Sequence, residues 1–573
     1  MPLPLRLLPR HSLISRSPAG FGLRYYTTPI PTNPRSRPPA HLAKPEANSA
    51  ADADERLDGS SAFKPNPFNV PGSAIFGGSN LRDAALTTIV GLTMVFVGGV
   101  AYVRWYKYNV LRKIEDAFAA GYDPALELAT YQNKNAGERK KEDDDDDNVI
   151  DNLDLPEDGP WTQHLRRKEQ DWIDAIVHGE EPGHYFVLLG PKGSGKGTMI
   201  FEAMAATQAD GVAMLDAHPD LEVFRLKLGK SINYEYNEDS QTGLFQRRDP
   251  REGGPALDIE RALTKLEKVA LKLARRREKP LVLIINNVHY FKNDDDGRGM
   301  LLQLQQRAES WAASGIVTCV FTTDDFWPFY VMRKTASRMH VLSIYDLNNH
   351  ESIHAATRMF MNVNKTKKAD QSIIQQAIDI VGGRLSYLNK VARSRDMLKM
   401  AKHLLAVEKA WLRSQIGLIP DCDDDVMDEQ KWSSCSWLLL REFVKLRKEQ
   451  EQAREEAIAA GTLQADETEL PLPTIPYWRC REIMTRADFL EELDRANIIA
   501  IDVEHEVRPD SMLILQAARE VCDEEGFDEL LDNVRDRIDE IESLHRTREL
   551  TFKDLQEGDR IYLSVDKGGP KIV

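Results

Sequence analysis

Apolar and polar positions along the 573 residues fall into three regimes. Up to Asp83, hydrophobic residues are scattered among Pro, Ser, Thr and Arg without a period, and no packed element is predicted there. The twenty residues Ala84 to Val103 (AALTTIVGLTMVFVGGVAYV) then carry no charge. A helix of that length rises about 30 Å, one hydrocarbon thickness. Tyr102, Trp105, Tyr106 and Tyr108, beside Arg104, Lys107, Arg112 and Lys113, mark one interface of a membrane. Its polar flanks offer no core to enter, so the stretch reads as a single span.

After the acidic run Glu142–Asp147, a solvated linker, the pattern becomes that of a packed domain. Trp161–His178 reads as a helix. His184–Gly190, Gly211–Ala217, Pro280–Asn286, Gly315–Thr323 and Met339–Leu347 are short, almost wholly apolar runs, as expected of strands buried on both faces. Between them lie helical patterns starting near Thr198, over Leu257–Arg277 and around Leu301–Trp311. Strands alternating with helices predict an α/β fold with a parallel, doubly wound sheet.

Composition narrows the function. With 75 Lys+Arg against 91 Asp+Glu the formal charge is -16, which argues against a chain whose main task is to coat nucleic acid. The five cysteines are scattered and nowhere spaced CxxC, which argues against a zinc ribbon or a disulfide scaffold. The first 45 residues hold seven basic residues and no acidic one, with Ser, Thr and Leu between them. That is transit-peptide composition and predicts a mitochondrial inner-membrane protein with one span. The basic flank after the span favours a matrix side for the C-terminal bulk, whereas a presequence followed by a stop-transfer helix favours the intermembrane space. Both stay open.

Chemistry enters directly after the first strand. Gly190-Pro191-Lys192-Gly193-Ser194-Gly195-Lys196-Gly197-Thr198 fits G-x-x-x-x-G-K and opens a helix. The glycines let backbone N–H groups converge on phosphate oxygens, the helix terminus adds positive potential, and Lys196 supplies a point charge. The residue after Lys196 is Gly197, so the hydroxyl that usually holds Mg²⁺ is absent unless Thr198 serves, as in the similar GKGT of adenylate kinases. In P-loop ATPases the third strand usually ends in an Asp for the magnesium shell, often followed by a Glu that polarises water. Here Asn286 and Asn287 stand in those places, and an amide is no base near neutral pH. ATP binding with slow or absent hydrolysis follows, unless a carboxylate from Asp294–Asp296 or another subunit substitutes.

These features, from about Trp161 to Ser414, resemble the AAA+ superfamily, and within it the archaeal-type, origin-recognition-like and STAND branches. The resemblance implies that Thr322 or Thr323 senses the γ-phosphate. It implies that Arg338, in Ser337-Arg338, reaches a neighbouring subunit's nucleotide in a homo-oligomer. It also implies a helical lid from His350–Met361 and Gln371–Val381 to the turn Gly382-Gly383-Arg384, with Arg384 as second sensor. ATP, with Mg²⁺ in question, is the implied cofactor.

Trp437–Arg454, Arg479–Arg486 and Ala487–Ala496 read as helices and Ile498–Pro509 as a hairpin, followed by helices over Ser511–Cys522 and Phe527–Arg546. That order suggests a winged helix, as in fungal mitochondrial AAA+-type proteins that carry one at the C-terminus. Its recognition helix, ADFLEELDRA, sets Asp488, Glu491, Glu492 and Asp494 against Arg495, which disfavours DNA and favours a protein-docking or structural role. The expected division is a transit peptide (1–45), linker (46–83), transmembrane helix (84–103), juxtamembrane helix and acidic linker (104–158), nucleotide core (159–347), lid (348–415), winged helix with helical extension (430–550) and tail (551–573). A nucleotide-dependent switch or assembly factor is the leading reading. An active ATPase remodelling a protein client of the inner membrane is the second, and a membrane tether for mitochondrial nucleic acid the third. The membrane proteases are a poor match, since no HExxH motif follows the lid.

Overall fold

The computed structural model describes residues 79–129, 166–236, 254–363, 370–460, 470–548, 558, 563–566 and 569–572. The expected transit peptide, the acidic run at 142–147 and Trp161 lie outside them. The chain divides into two units, 1–82 and 83–573, and the packing below belongs to the second.

The core is a parallel sheet in the order β2-β3-β4-β1-β5: β1 (Tyr185–Leu189), β2 (Val212–Asp216), β3 (Leu281–Asn286), β4 (Val317–Thr323) and β5 (Met339–Ser343). All of β1 and β4 is buried, which is why these strands read as unbroken apolar runs. Alternate residues serve two faces. Tyr185, Val187, Leu283, Ile285, Cys319 and Phe321 enter one core cluster, and Phe186, Leu188, Val282, Ile284 and Val320 the other. The fifth strand is shorter than its apolar run because the chain turns away: the Ile344 N–H bonds Leu189 O at 2.8 Å and the Leu347 N–H reaches Gly383 O at 3.1 Å.

Helices cover both faces. In chain order the first is α1 (Ser79–Ala117), then α2 (Gln170–Val177), α3 (Lys196–Ala206), α4 (Leu221–Ser231), α5 (Gly254–Arg277), α6 (Asp295–Ser314) and α7 (Trp327–Arg333). The region expected to form the lid comprises α8 (Asn349–Val363), α9 (Gln371–Val381), α10 (Leu385–Ala392) and α11 (Met397–Gln415). Its own small core is built around Ile374, Ile378, Leu388 and Met397.

The winged helix follows as α12 (Met427–Ala459), β6 (Ile475–Pro476), α13 (Tyr477–Met484), α14 (Ala487–Arg495), β7 (Ile499–Ile501), β8 (Glu506–Pro509), α15 (Met512–Cys522) and α16 (Phe527–Arg548). The hairpin β7–β8 gains a third strand, β6, that the sequence did not announce: two residues ending in Pro476 carry no alternation to read. Ser511 caps α15, its hydroxyl accepting from the Ile514 N–H.

One helix among the described residues, α1, is long and apolar enough to cross a membrane. Its character changes along its length. Leu92, Met94, Val95 and Phe96 are exposed, whereas Tyr106, Val110, Ile114, Ala117 and Phe118 are buried in the core cluster that contains Ile259 and Leu263 of α5. That i, i+4 stripe is a helix face packed on a partner. Glu115 reinforces it, paired with Lys272 at 2.6 Å and Arg276 at 2.5 Å, both on α5. The buried Asp123 carboxylate accepts N–H bonds from Ala125, Leu126 and Met214, the last on edge strand β2. The juxtamembrane helix, expected to stand apart from the soluble domains, is therefore part of the core.

Candidate nucleotide-binding site

The loop from Gly190 to Thr198 leaves the carboxyl end of β1, between β4 and β5, and opens α3. In an open α/β sheet the crevice beyond the strand ends is where ligands bind. Gly193 and Gly195 take φ of +82° and +103°, which an L side chain rarely adopts. A Cβ there would lie 2.5 Å from Ser386 Oγ and 2.8 Å from Leu385 Cδ1, respectively. The first turn of α10 is thus seated on the loop, and the Ser386 N–H donates to Gly193 O at 3.3 Å.

The cradle fits a phosphate. The first turn of α3 has no intrahelical partners for its N–H groups. Ser194 Oγ is buried with no hydrogen-bond partner. Lys196, 7% exposed, donates to Gly190 O at 2.6 Å and Pro191 O at 3.0 Å, and pairs with Asp324 Oδ1 at 2.7 Å. Burial pulls its ammonium below the usual lysine range, with Asp324 opposing. Arg167, not singled out in the sequence, supports the loop from outside: its guanidinium donates to Ser194 O at 2.8 Å and Tyr345 O at 2.6 Å. No periodicity or motif marks it.

At the ends of β3 and β4 the amides and hydroxyls form a closed relay. Asn286 Nδ2 donates to Asp216 Oδ1 at 2.8 Å, Thr322 Oγ1 donates to Asn286 Oδ1 at 2.5 Å, and the Asn287 N–H donates to Thr322 Oγ1 at 2.8 Å. Thr323 spends its hydroxyl on Asp325 O. The Asn286 side-chain oxygen is thereby taken, and no group of three metal-ligating side chains occurs among the described residues. The magnesium set is poor: Thr198, half-buried in the first turn of α3, is the hydroxyl nearest the position that Gly197 vacates. At Gly197 a Cβ would meet open space, so crowding does not account for the missing hydroxyl. Asp294, weighed as a substitute acid, instead caps α6 through the Gly297 N–H at 2.8 Å.

The group that β4 delivers to Lys196 is Asp324, one residue beyond the two threonines considered from sequence. Its N–H donates to His289 Nδ1 at 3.1 Å, which leaves that nitrogen unprotonated. Burial, opposed by Asp324 and aided by Lys196 and Lys192, lowers the His289 pKa.

The two arginines lie elsewhere. Arg338 is exposed at the start of β5, where its carbonyl accepts from the Tyr185 N–H, so it sits at the opposite end of the sheet from its own chain's loop. Arg384 is 2% exposed and fully engaged. Nε and Nη2 reach the two oxygens of Asp346 at 3.1 and 3.2 Å, while Nη1 and Nη2 bond the Asp510 carboxylate and carbonyl. Burial works against its charge, and the two carboxylates more than restore it. Arg384 therefore joins the end of the sheet, the lid and the winged helix.

The winged helix docks on the same crevice. The recognition helix α14 turns Phe489, Leu490, Leu493 and Asp494 inward, and buried Asp494 accepts from the Phe326 N–H at 2.8 Å. In the hairpin, Asp502 accepts from the hydroxyls of Tyr345 and Ser343, and Arg508 stacks over Tyr345. Leu189, Phe326 and Phe329 of the core join the winged helix's own cluster.

Residues 413–542 match the family described as the C-terminal winged helix domain of fungal AAA protein. The match covers the winged-helix region, less than half of the chain. Three solved structures are similar to the chain. A Walker-type ATPase of Pyrococcus abyssi is 13% identical, with 62% of this chain and 99% of that one covered and a TM-score of 0.38. Cdc6p from Pyrobaculum aerophilum is 12% identical, with 65% and 94% covered and a TM-score of 0.28. The RuvB Holliday junction branch migration motor of Thermotoga maritima is 11% identical, with 60% and 90% covered and a TM-score of 0.28. No curated protein matches the chain.

Proposed function

We propose that this AAA+ protein is a nucleotide-dependent conformational switch or assembly factor, anchored in the mitochondrial inner membrane by α1, that binds ATP and hydrolyses it slowly or not at all. The supporting observation is the seating of α10 on the phosphate loop. A nucleotide entering between Gly193 and Ser386 must displace the lid, and Arg384 passes that displacement to the winged helix through Asp510. ATP is the guest that the loop and lid suit. Gly190, Pro191, Lys192, Gly193, Ser194, Gly195, Lys196 and Gly197 surround its phosphates, with Thr198 as the hydroxyl for any Mg²⁺. The amides of Asn286 and Asn287 supply no base.

A second reading, an active ATPase working on a membrane client, draws on Asp324: a carboxylate 2.7 Å from Lys196 stands where it can polarise water once the ion pair opens. Arg338, exposed and away from its own loop, suits a homo-oligomer in which it serves a neighbour. A nucleic-acid tether is disfavoured, because α14 spends its apolar face on the core and shows acids outward.

The experiment is paired: binding of ATP, ADP and a non-hydrolysable analogue with and without Mg²⁺, and steady-state phosphate release by the same protein. Binding abolished by Lys196→Ala with negligible release supports the switch. Robust release lost in Asp324→Asn establishes the second reading instead.

A further inference from the structure

A cavity of about 500 Å³ opens between the core and the winged helix, beside the phosphate loop. Its walls come from three places: Lys192 of the loop, the β3–α6 segment with His289 and Lys292, and Arg495 at the last turn of α14. Asp324 and Asp325 complete it. In a chain with a formal charge of -16, three cations gathered on one cavity are conspicuous, and none of them makes an ion pair among the described residues. Exposed cations in an acidic protein usually find a carboxylate partner or face bulk water. Here they face a volume of the size that holds small ligands.

The cavity is continuous with the phosphate site through one side chain. Asp324 lines it and also holds Lys196, the residue that in a loop of this kind reaches the β- and γ-phosphates. A phosphate that takes Lys196 from Asp324 therefore arrives at the cavity wall. There it meets Lys192 on one side and, on the other, a guanidinium from a different domain, whose planar fork suits two phosphate oxygens. Arg384 is locked between Asp346 and Asp510 and is not free for this.

We infer that Arg495 of the winged helix binds the distal phosphate of a nucleoside triphosphate held in its own chain's loop, so that the docking of the winged helix distinguishes triphosphate from diphosphate. This rests on the nucleotide-binding reading above. It makes the short stretch Arg495–Asn497, where α14 turns into β7, the part that registers the nucleotide state.

The test compares ATP and ADP binding to the full-length protein in detergent for the wild type, Arg495→Gln and Arg495→Lys. The expected result is a loss of about tenfold in ATP affinity for Arg495→Gln with ADP affinity unchanged, and a smaller loss for Arg495→Lys. Retained ADP binding shows that the variant is folded. Hydrogen exchange in α14 slows with ATP and not with ADP in the wild type, and this contrast disappears in Arg495→Gln. An equal effect on both nucleotides, or none on either, overturns the inference while leaving nucleotide binding intact. Arg495-dependent binding of inorganic phosphate to the nucleotide-free protein also overturns it. A wild type that binds neither nucleotide removes the reading beneath it as well.

Discussion

Lys196 Nζ lies 2.7 Å from Asp324 Oδ1, so the ammonium of the glycine-rich loop is held by a carboxylate of its own chain. The pair is 7% and 14% exposed, out of reach of strong screening. Any phosphate must win Lys196 from it. Asp324→Asn is accordingly expected to raise ATP affinity by about three- to tenfold, read by calorimetry. Unchanged or weaker binding would mean that Asp324 helps to hold the nucleotide rather than competing with it.

The pH dependence of docking follows from Asp325. Burial, and then the neighbouring Asp324, push its carboxyl up to about 7. A carboxyl raised in the folded state binds more protons there than in the unfolded chain. Its contribution to stability is therefore full at low pH and disappears as pH rises through about 7. Burial raises Asp494, across the same interface, in the same direction. Stability should fall as pH rises from about 4 to about 7 and level off above that, measured by urea denaturation, and Asp325→Asn should flatten the dependence.

Removing one partner from the Arg384 cluster leaves buried charge unmatched. Arg384→Ala should cost about 3–5 kcal/mol in denaturant unfolding. Arg384→Met, with Asp346 and Asp510 both changed to Asn, should recover much of that loss. Equal instability of the single and triple variants would show that the guanidinium acts by filling space.

Gly197→Thr restores the missing hydroxyl where a Cβ meets open space. The variant should fold as the parent does and bind ATP more tightly in Mg²⁺ than without it, by a larger ratio than the parent. An unchanged ratio would place the magnesium deficit at Asn286 instead.

Much of the core was legible from sequence because parallel strands buried on both faces need no alternation: β1 and β4 announce themselves as apolar runs. The loop was legible because its glycines and lysine sit at fixed spacing between a strand and a helix. Arg384 was legible as a residue and not as a role. Its partners stand 38 and 126 positions away, and only the folded chain brings Asp346 and Asp510 to it. Asp324 was passed over because the family pattern drew attention to Thr322 and Thr323, whose hydroxyls are spent locally. The stripe Tyr106, Val110, Ile114 was readable in principle, and was masked by the stronger hydrophobic signal just before it.

Ile114 tests that stripe. Ile114→Ala should destabilise the soluble part by about 2–5 kcal/mol, while Leu92→Ala, exposed on the same helix, should leave its unfolding unchanged. Similar effects of the two would break the distinction between span and buttress.

The unbroken run of α1 from its apolar half into the buried stripe has a mechanical consequence. A folded head on a slack tether samples many tilts and heights above a bilayer. On the proposed membrane anchoring, a head bolted to its own mast would not, and the crevice at the strand ends would be presented to the lipid surface at one fixed bearing. Anything the winged helix bound would then be delivered at a set elevation, and a few glycines inserted after Arg104 would undo that aim without touching the pocket.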